Sequence, residues 1–355
     1  MTDHAADPAA RAQVLGVSTE AVSLTMESEV YDLHNDLYVP ARLVRFDPHK
    51  RHSPGLGGSR FFNQTDLPRI REAGLTGLTF DIATNPLRRS RSLPEITRAN
   101  IARIQADLAA HPAHFAFVKN HREFLDARSR GLTACYIGIQ GGQAFQYDQA
   151  SLEAIPNDVH RITLVHLTNS QIGATSSPLG PNKALSDKGA ALIEVMNAKR
   201  ILVDLAHINR DGYMRAAKLH DKTQPLICTH TGVAGVMKHW RNVDDEQIRA
   251  VTDTGGVIGI IFHSMFLGPT IMGWSRVDAG VILDHMEHVI EVAGEHAVAI
   301  GTDYDGLIVP PKAVQQVSDL PRLVQLMMDR KWTTERIQRV LGTNVLDVLQ
   351  QIRPD

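Results

Sequence analysis

Cysteine is scarce. Cys135 and Cys228 are the only two in 355 residues, and each lies inside an apolar, strand-like run. That excludes a disulfide-stapled secreted scaffold and fits buried thiols in a reducing compartment. Long apolar runs are also missing: the longest, GGVIGIIF near residue 260, falls far short of the roughly 20 residues that cross a bilayer. The opening MTDHAADPAARAQVLG has no basic stretch leading into an apolar one, so the expectation is a chain without a secretory leader, located in the cytosol. Neither sign of charge dominates. With 37 Lys and Arg against 39 Asp and Glu, the net charge of −2 offers no basic surface to nucleic acid or anionic lipid, and neither is expected as a partner.

What the chain does have is 43% hydrophobic residues, enough for a large core, arranged in eight short runs rich in β-branched residues. These are EVYDLHND (29–36), GLTGLTFDIA (74–83), LTACYIGIQGG (132–142), HRITLVHLTN (160–169), RILVDLAH (200–207), PLICTHTG (225–232), GGVIGIIFH (255–263) and AVAIGTDYDG (297–306). Each reads as a strand buried on both faces. Between most of them lie segments with helical spacing, such as SDKGAALIEVMNAK, where Ser186 is the expected N-cap. Eight βα units predict an α/β fold, a (β/α)8 TIM barrel, with the doubly wound open sheet as the competitor.

The strand ends favour the barrel. The runs turn polar at their C-terminal ends, with His34 and Asp36, Asp81, Gln140, His166 and Asn169, His207, His230, His263, Asp303 and Asp305. A barrel gathers such ends at one mouth, whereas an open sheet spreads them along an edge. Residues 1–28 read as an N-terminal extension with a helix, and 29–355 as one barrel domain closed by a helix pair, TTERIQRVLGTNVLDVLQQI. The Gly-, Pro- and His-rich stretch from Arg45 to Ser59 reads equally as a cover for the mouth or as a solvated excursion. NPLRRSRS (85–92) is either a solvated basic loop or an attractor for an acidic substrate group.

His34 and Asp36, two apart on a strand, point the same way. An imidazole and a carboxylate so placed can grip one metal ion. His207 and His230, ending consecutive strands, face them across the mouth, and imidazole is the commonest protein ligand for zinc-like ions. Asp303, at the end of the last strand, is placed to accept a proton from metal-activated water and pass it to a leaving amine.

HND (34–36), GIQGG (138–142), RITLVHLTN (161–169), VDLAH (203–207), THTG (229–232), RNVDDE (241–246) and GTDYDG (301–306) stand in the order and approximate spacing of the renal (membrane) dipeptidase family, which the chain resembles from about residue 30 to its C-terminal helices. The resemblance implies an amidohydrolase-type barrel and hydrolysis of a dipeptide by two zinc ions. By position it assigns His34 and Asp36 to one ion, and His207 and His230 to the other. His166 would contact substrate and steady the oxyanion, Asp303 would shuttle the proton, and Arg241 would pair with the substrate's terminal carboxylate. Members are often dimers, which leaves a homodimer open.

One position departs from the pattern. The family's GxEGG carries a glutamate that bridges the two metals, and this chain has Gln140. An amide offers one neutral oxygen and an NH2 group that repels a cation, so the second ion should bind more weakly. A paired-ion site, a single catalytic ion and a barrel that binds small peptides without hydrolysis all remain open. So does a substrate change to another amide, a lactam or an N-acyl amino acid.

Overall fold

The computed structural model describes residues 7–53, 58–84, 92–145, 149–178, 183–271, 273 and 275–355. Among the described residues nine strands form the sheet: β1 (Tyr31–Asn35), β2 (Gly77–Ala83), β3 (Phe115–Phe117), β4 (Thr133–Gln140), β5 (Val159–Thr163), β6 (Leu202–Asp204), β7 (Leu226–Thr231), β8 (Val257–Ile260) and β9 (Val298–Ile300). Their order is β2-β1-β9-β8-β7-β6-β5-β4-β3, and a further parallel pairing of β2 with β4 closes a ring of eight. The expected (β/α)8 barrel is therefore the fold, and the open sheet is excluded.

Strand β3 is the addition. β2 occupies one edge of β4 from Ala134 to Gln140, so β3 and β5 must share the other: β3 pairs with Thr133 to Cys135, and β5 takes over from Ile137. Three residues, FAF, carry too short a periodic signal to stand out from the sequence.

Two apolar clusters hold the barrel. One, including Tyr31, Leu33, Tyr136, Leu202 and Ile227, lies with Val345, Val348 and Leu349 of the C-terminal helix Asn344–Ile352, which plugs the barrel end away from the site. The other joins the outer faces of the strands to the surrounding helices. Ser186 caps helix Asp187–Ala198 as expected, its side chain accepting from the Gly189 N–H. The anticipated C-terminal helix pair is one helical run with a π turn at Arg339–Thr343, where Gly342 packs on the Glu29 carbonyl. Residues 8–27 form two helices, Pro8–Leu15 and Thr19–Glu27. They dock on helix Leu320–Asp329, where Gln325 Oε1 accepts from Ser18 N at 2.9 Å and Arg322 Nε donates to the Leu15 carbonyl at 2.9 Å.

Among the described residues no helix is long and apolar enough to cross a membrane. In the first half of the Arg45–Ser59 stretch Phe46 stacks on His52 at 3.7 Å between centroids, and His49 Nδ1 meets His111 Nε2 at 2.7 Å, just beyond the C-terminal end of helix Leu93–Ala109. The arginines of the 85–92 segment, Arg88, Arg89 and Arg91, lie outside the described residues.

Candidate active site

The C-terminal ends of the strands deliver the polar residues to one mouth. His34, one residue before the end of β1, has its ring fully buried, and its Nε2 lies 3.7 Å from Asp36 Oδ2 and 3.5 Å from Asp303 Oδ1. His207 Nε2 and His230 Nε2 approach to 2.8 Å, and the His34 and His230 rings stack with centroids 3.8 Å apart. His34, His230 and Asp303 can each aim one ligand atom within 4.8 Å of the others. The four expected ligands and the expected proton carrier thus come together. The tightest grouping, however, mixes the two sets that the resemblance kept apart.

Gln140, at the end of β4, sits between them. Its Nε2 is 3.2 Å from His34 Nε2 and 3.4 Å from His207 Nε2, so the amide can donate to the neutral His207 ring, while its buried Oε1 has no partner among the described residues. Asp36 Oδ1 is likewise buried without a partner. An orphaned carboxylate oxygen costs free energy unless something cationic satisfies it. His34, His230 and Asp303, with Asp36 3.7 Å from His34, make a donor set that fits a divalent, zinc-like ion.

Behind the mouth lies a charged network that orients the histidines. His34 Nδ1 faces Asp81 Oδ2 at 3.0 Å, which fixes the proton on Nδ1 and turns Nε2 inward. His230 Nδ1 is 2.8 Å from Thr229 Oγ1, which in turn donates to Asp204 Oδ2 at 2.8 Å. Arg161, buried in the middle of β5, binds both carboxylates: Nη2 pairs with Asp81, and Nη1 lies 2.9 Å from Asp204 Oδ2. One guanidinium therefore braces both halves of the site. Gly138, the first glycine of GIQGG, makes room for it, because a Cβ there would strike Arg161 Nη2 and come within 2.7 Å of Asp81 Oδ1. Gly306 does the same for Asp36, whose Oδ2 would be 2.8 Å from an added Cβ. Sequence reasoning noted Asp81 as a strand end but gave no role to it, Arg161 or Asp204. The available signal was Arg161 and Asp204 themselves, charges inside apolar strands that must be paired when buried.

The electrostatics divide the groups. Burial opposes a charge on His34, but Asp81 and then Asp36 outweigh it and hold its pKa well above the ordinary value. Burial pushes Asp303 well up, against the pull of His34. Burial, reinforced by the positive charge on His34, lowers His166 to about 3. His207 and His230 are held well below their usual range, by burial first and by Arg241 or His34 next. These three imidazoles are neutral, as ligands and neutral hydrogen-bond donors must be, whereas His34 would give up the proton on Nε2 to an ion that binds there.

A cavity of about 780 Å3 opens from this cluster, with Asp36, Gln140, His166, His207 and Asp303 on its wall. His166 stands edge-on to His207 at 4.9 Å. His263 also lines the cavity, its Nδ1 accepting from Val309 N at 3.1 Å. Two other strand-end residues serve the scaffold instead: Asn169 accepts from Thr175 N at 3.0 Å, and Asp305 accepts from Gln64 N and Thr65 N at 3.0 and 3.1 Å. Arg241 lines an adjoining cavity of about 230 Å3 that shares His207 with the first. Its Nη2 donates to the His230 carbonyl at 2.7 Å, and its buried Nε has no partner among the described residues.

Residues 18–354 match the family described as Membrane dipeptidase (Peptidase family M19). The chain belongs to that family. Three solved structures share its fold. A metallopeptidase from Rhodobacter sphaeroides, liganded with a phosphinate mimic of the dipeptide L-Ala-D-Ala, superposes with a TM-score of 0.79 at 23% identity, covering 92% of this chain and 99% of that one. The probable dipeptidase PvdM from Pseudomonas aeruginosa gives 0.81 at 15% identity, over 96% and 99%. An amidohydrolase from Pseudomonas aeruginosa gives 0.74 at 19% identity, over 94% and 99%. As a member of family M19 the protein is a metal-dependent hydrolase of the dipeptidase class, and neither the non-catalytic barrel nor a wholly different amide substrate is favoured.

Proposed function

We propose that the protein hydrolyses dipeptides with one tightly held zinc ion at the barrel mouth, gripped by His34, Asp36, His207 and His230. The carrying observation is the neutral Gln140 between His34 and His207, with Asp36 3.7 Å from His34 and His230 2.8 Å from His207. Asp36 and Asp303 are the two carboxylates in direct reach of an ion, because Asp81 and Asp204 are engaged by Arg161. Two negative charges offset one divalent ion and leave a second uncompensated. Zinc is proposed because a set rich in imidazole nitrogen suits it.

When bound, the ion would lower the pKa of water and polarise the scissile carbonyl. The protein's own groups do the rest. Asp303, whose raised pKa makes it a usable acid as well as a base, takes the proton and passes it to the departing amine. Neutral His166, on the cavity wall, donates a hydrogen bond to the developing oxyanion. Arg241 offers its guanidinium to the substrate carboxylate from the β7 side. The buried free thiols Cys135 and Cys228 support a reducing location, the cytosol.

The test is turnover by zinc-loaded protein of a panel of Xaa-Gly dipeptides against N-acetyl amino acids. Dipeptide cleavage that a chelator abolishes and zinc restores is expected. Cleavage of the N-acetyl series alone, or of neither with any divalent ion, would overturn the proposal.

A further inference from the structure

The cavity is large for two small residues. Its volume of about 780 Å3 lies in the upper part of the ~300–1,000 Å3 range that encloses drug-sized ligands. One side of it is aliphatic. Val39 and Leu43 of helix Tyr38–Leu43, Ile82 near the end of β2, and Leu93 and Ile96 from the first turn of helix Leu93–Ala109 line it, with Thr97 and Asn100 further along the same helix. At the rim Leu43, Leu167 and Leu307 are 61%, 60% and 52% exposed. Single exposed leucines are ordinary, but three around one opening, above an apolar wall, mark a surface that a ligand covers. Among the described residues, the two arginines that line this side have protein partners: Arg42 donates to the Ala83 carbonyl at 3.0 Å, and Arg103 faces Asp107 at 3.9 Å.

Ring order gives the wall a direction. β2 and β7 are four strands apart whichever way the barrel is followed, so they stand on opposite sides. Arg241 follows β7, and the aliphatic wall surrounds the end of β2. A substrate whose carboxylate lies toward Arg241 therefore extends its amino-terminal residue across the catalytic cluster and onto the wall.

We infer that the substrates of this enzyme carry a long or bulky apolar side chain on the residue that supplies the scissile carbonyl. This rests on the dipeptidase reading above and specifies it. Burial of each methylene adds about 0.8 kcal/mol, equivalent to about a fourfold gain in kcat/KM, until the wall is covered.

The experiment uses Xaa-Gly dipeptides with straight-chain Xaa, from alanine to 2-aminodecanoic acid. It measures kcat/KM with zinc-loaded protein and, separately, the rise in Tm of the metal-free protein. Both should climb with chain length, kcat/KM by about three- to fourfold per methylene. Ile96→Gln should reduce the ratio of the longest to the shortest substrate by at least tenfold. Turnover that is flat or falls with chain length overturns the inference and leaves the dipeptidase reading standing. A Tm rise that grows with chain length, without turnover of any member, supports the apolar subsite and overturns the dipeptidase reading instead. An Ile96→Gln variant with an undiminished ratio overturns the placement of the wall.

Discussion

A carboxamide and a carboxylate have nearly the same shape and opposite consequences for a cation. Gln140 keeps the hydrogen-bonding reach of a glutamate, contacting His34 and His207, yet brings no charge to a site where ions would meet. Arg161 is its counterpart behind the mouth, a single cation on two buried carboxylates. Arg161→Leu should cost about 3–5 kcal/mol in chemical denaturation, because two buried charges lose their partner. It should also weaken zinc binding measured by competition with a chromophoric chelator. Arg161→Lys, which keeps the charge and loses the fork, should recover part of the stability and less of the zinc affinity. Equal affinity in all three proteins would contradict an orienting role. At this scale the side chains at the mouth were legible and the brace was not. His34, Asp36, His207, His230 and Asp303 announce themselves as polar ends of apolar runs, whereas Arg161 and Asp204 stand inside the runs HRITLVHLTN and RILVDLAH, and only three-dimensional pairing explains them. The placement of Arg241 on the adjoining cavity was equally hidden, since it follows from loop geometry after β7.

Individual elements carry strain and pH sensitivity that no sequence pattern displays. His207 and Asp303 have φ of +68° and +60°, left-handed values that a non-glycine residue adopts at a cost of about 1–2 kcal/mol. The turn that aims each side chain into the mouth sustains this cost. His207→Gly should therefore be more stable than His207→Ala by about 1 kcal/mol in the metal-free protein, with both failing to hold the ion as well as the parent. Equal stabilities would show the backbone there to be relaxed. Helix Gly280–Ala293 is pinned by His285, whose Nδ1 accepts from Val233 N at 2.8 Å and whose Nε2 faces the Leu267 carbonyl at 3.0 Å. Burial lowers its pKa from 6.5 to about 4, so the unfolded chain takes up a proton before the folded one does. The stability it contributes is complete above pH 6.5 and declines as the pH falls toward 4. His285→Gln should lose about 1 kcal/mol less than the parent between pH 7.5 and 5.5, as read by denaturant titration. An identical loss would contradict the assignment.

For the whole molecule, alternation of eight apolar runs with helical segments implies a parallel sheet buried on both faces, and the polar residues at the ends of those runs favour its closure into the barrel that forms. The short β3, the π turn and the docking of the two N-terminal helices depend on contacts between distant segments and were not legible. The central claim is that this barrel holds a catalytic ion with Gln140 in place of a charged bridge. Its most direct test is zinc per chain by elemental mass spectrometry, after loading and removal of excess, in the parent and in Gln140→Glu. One ion in the parent and close to two in the variant is the predicted result. No retained ion in the parent would contradict the metal site itself, and two in both proteins would contradict the role given to Gln140.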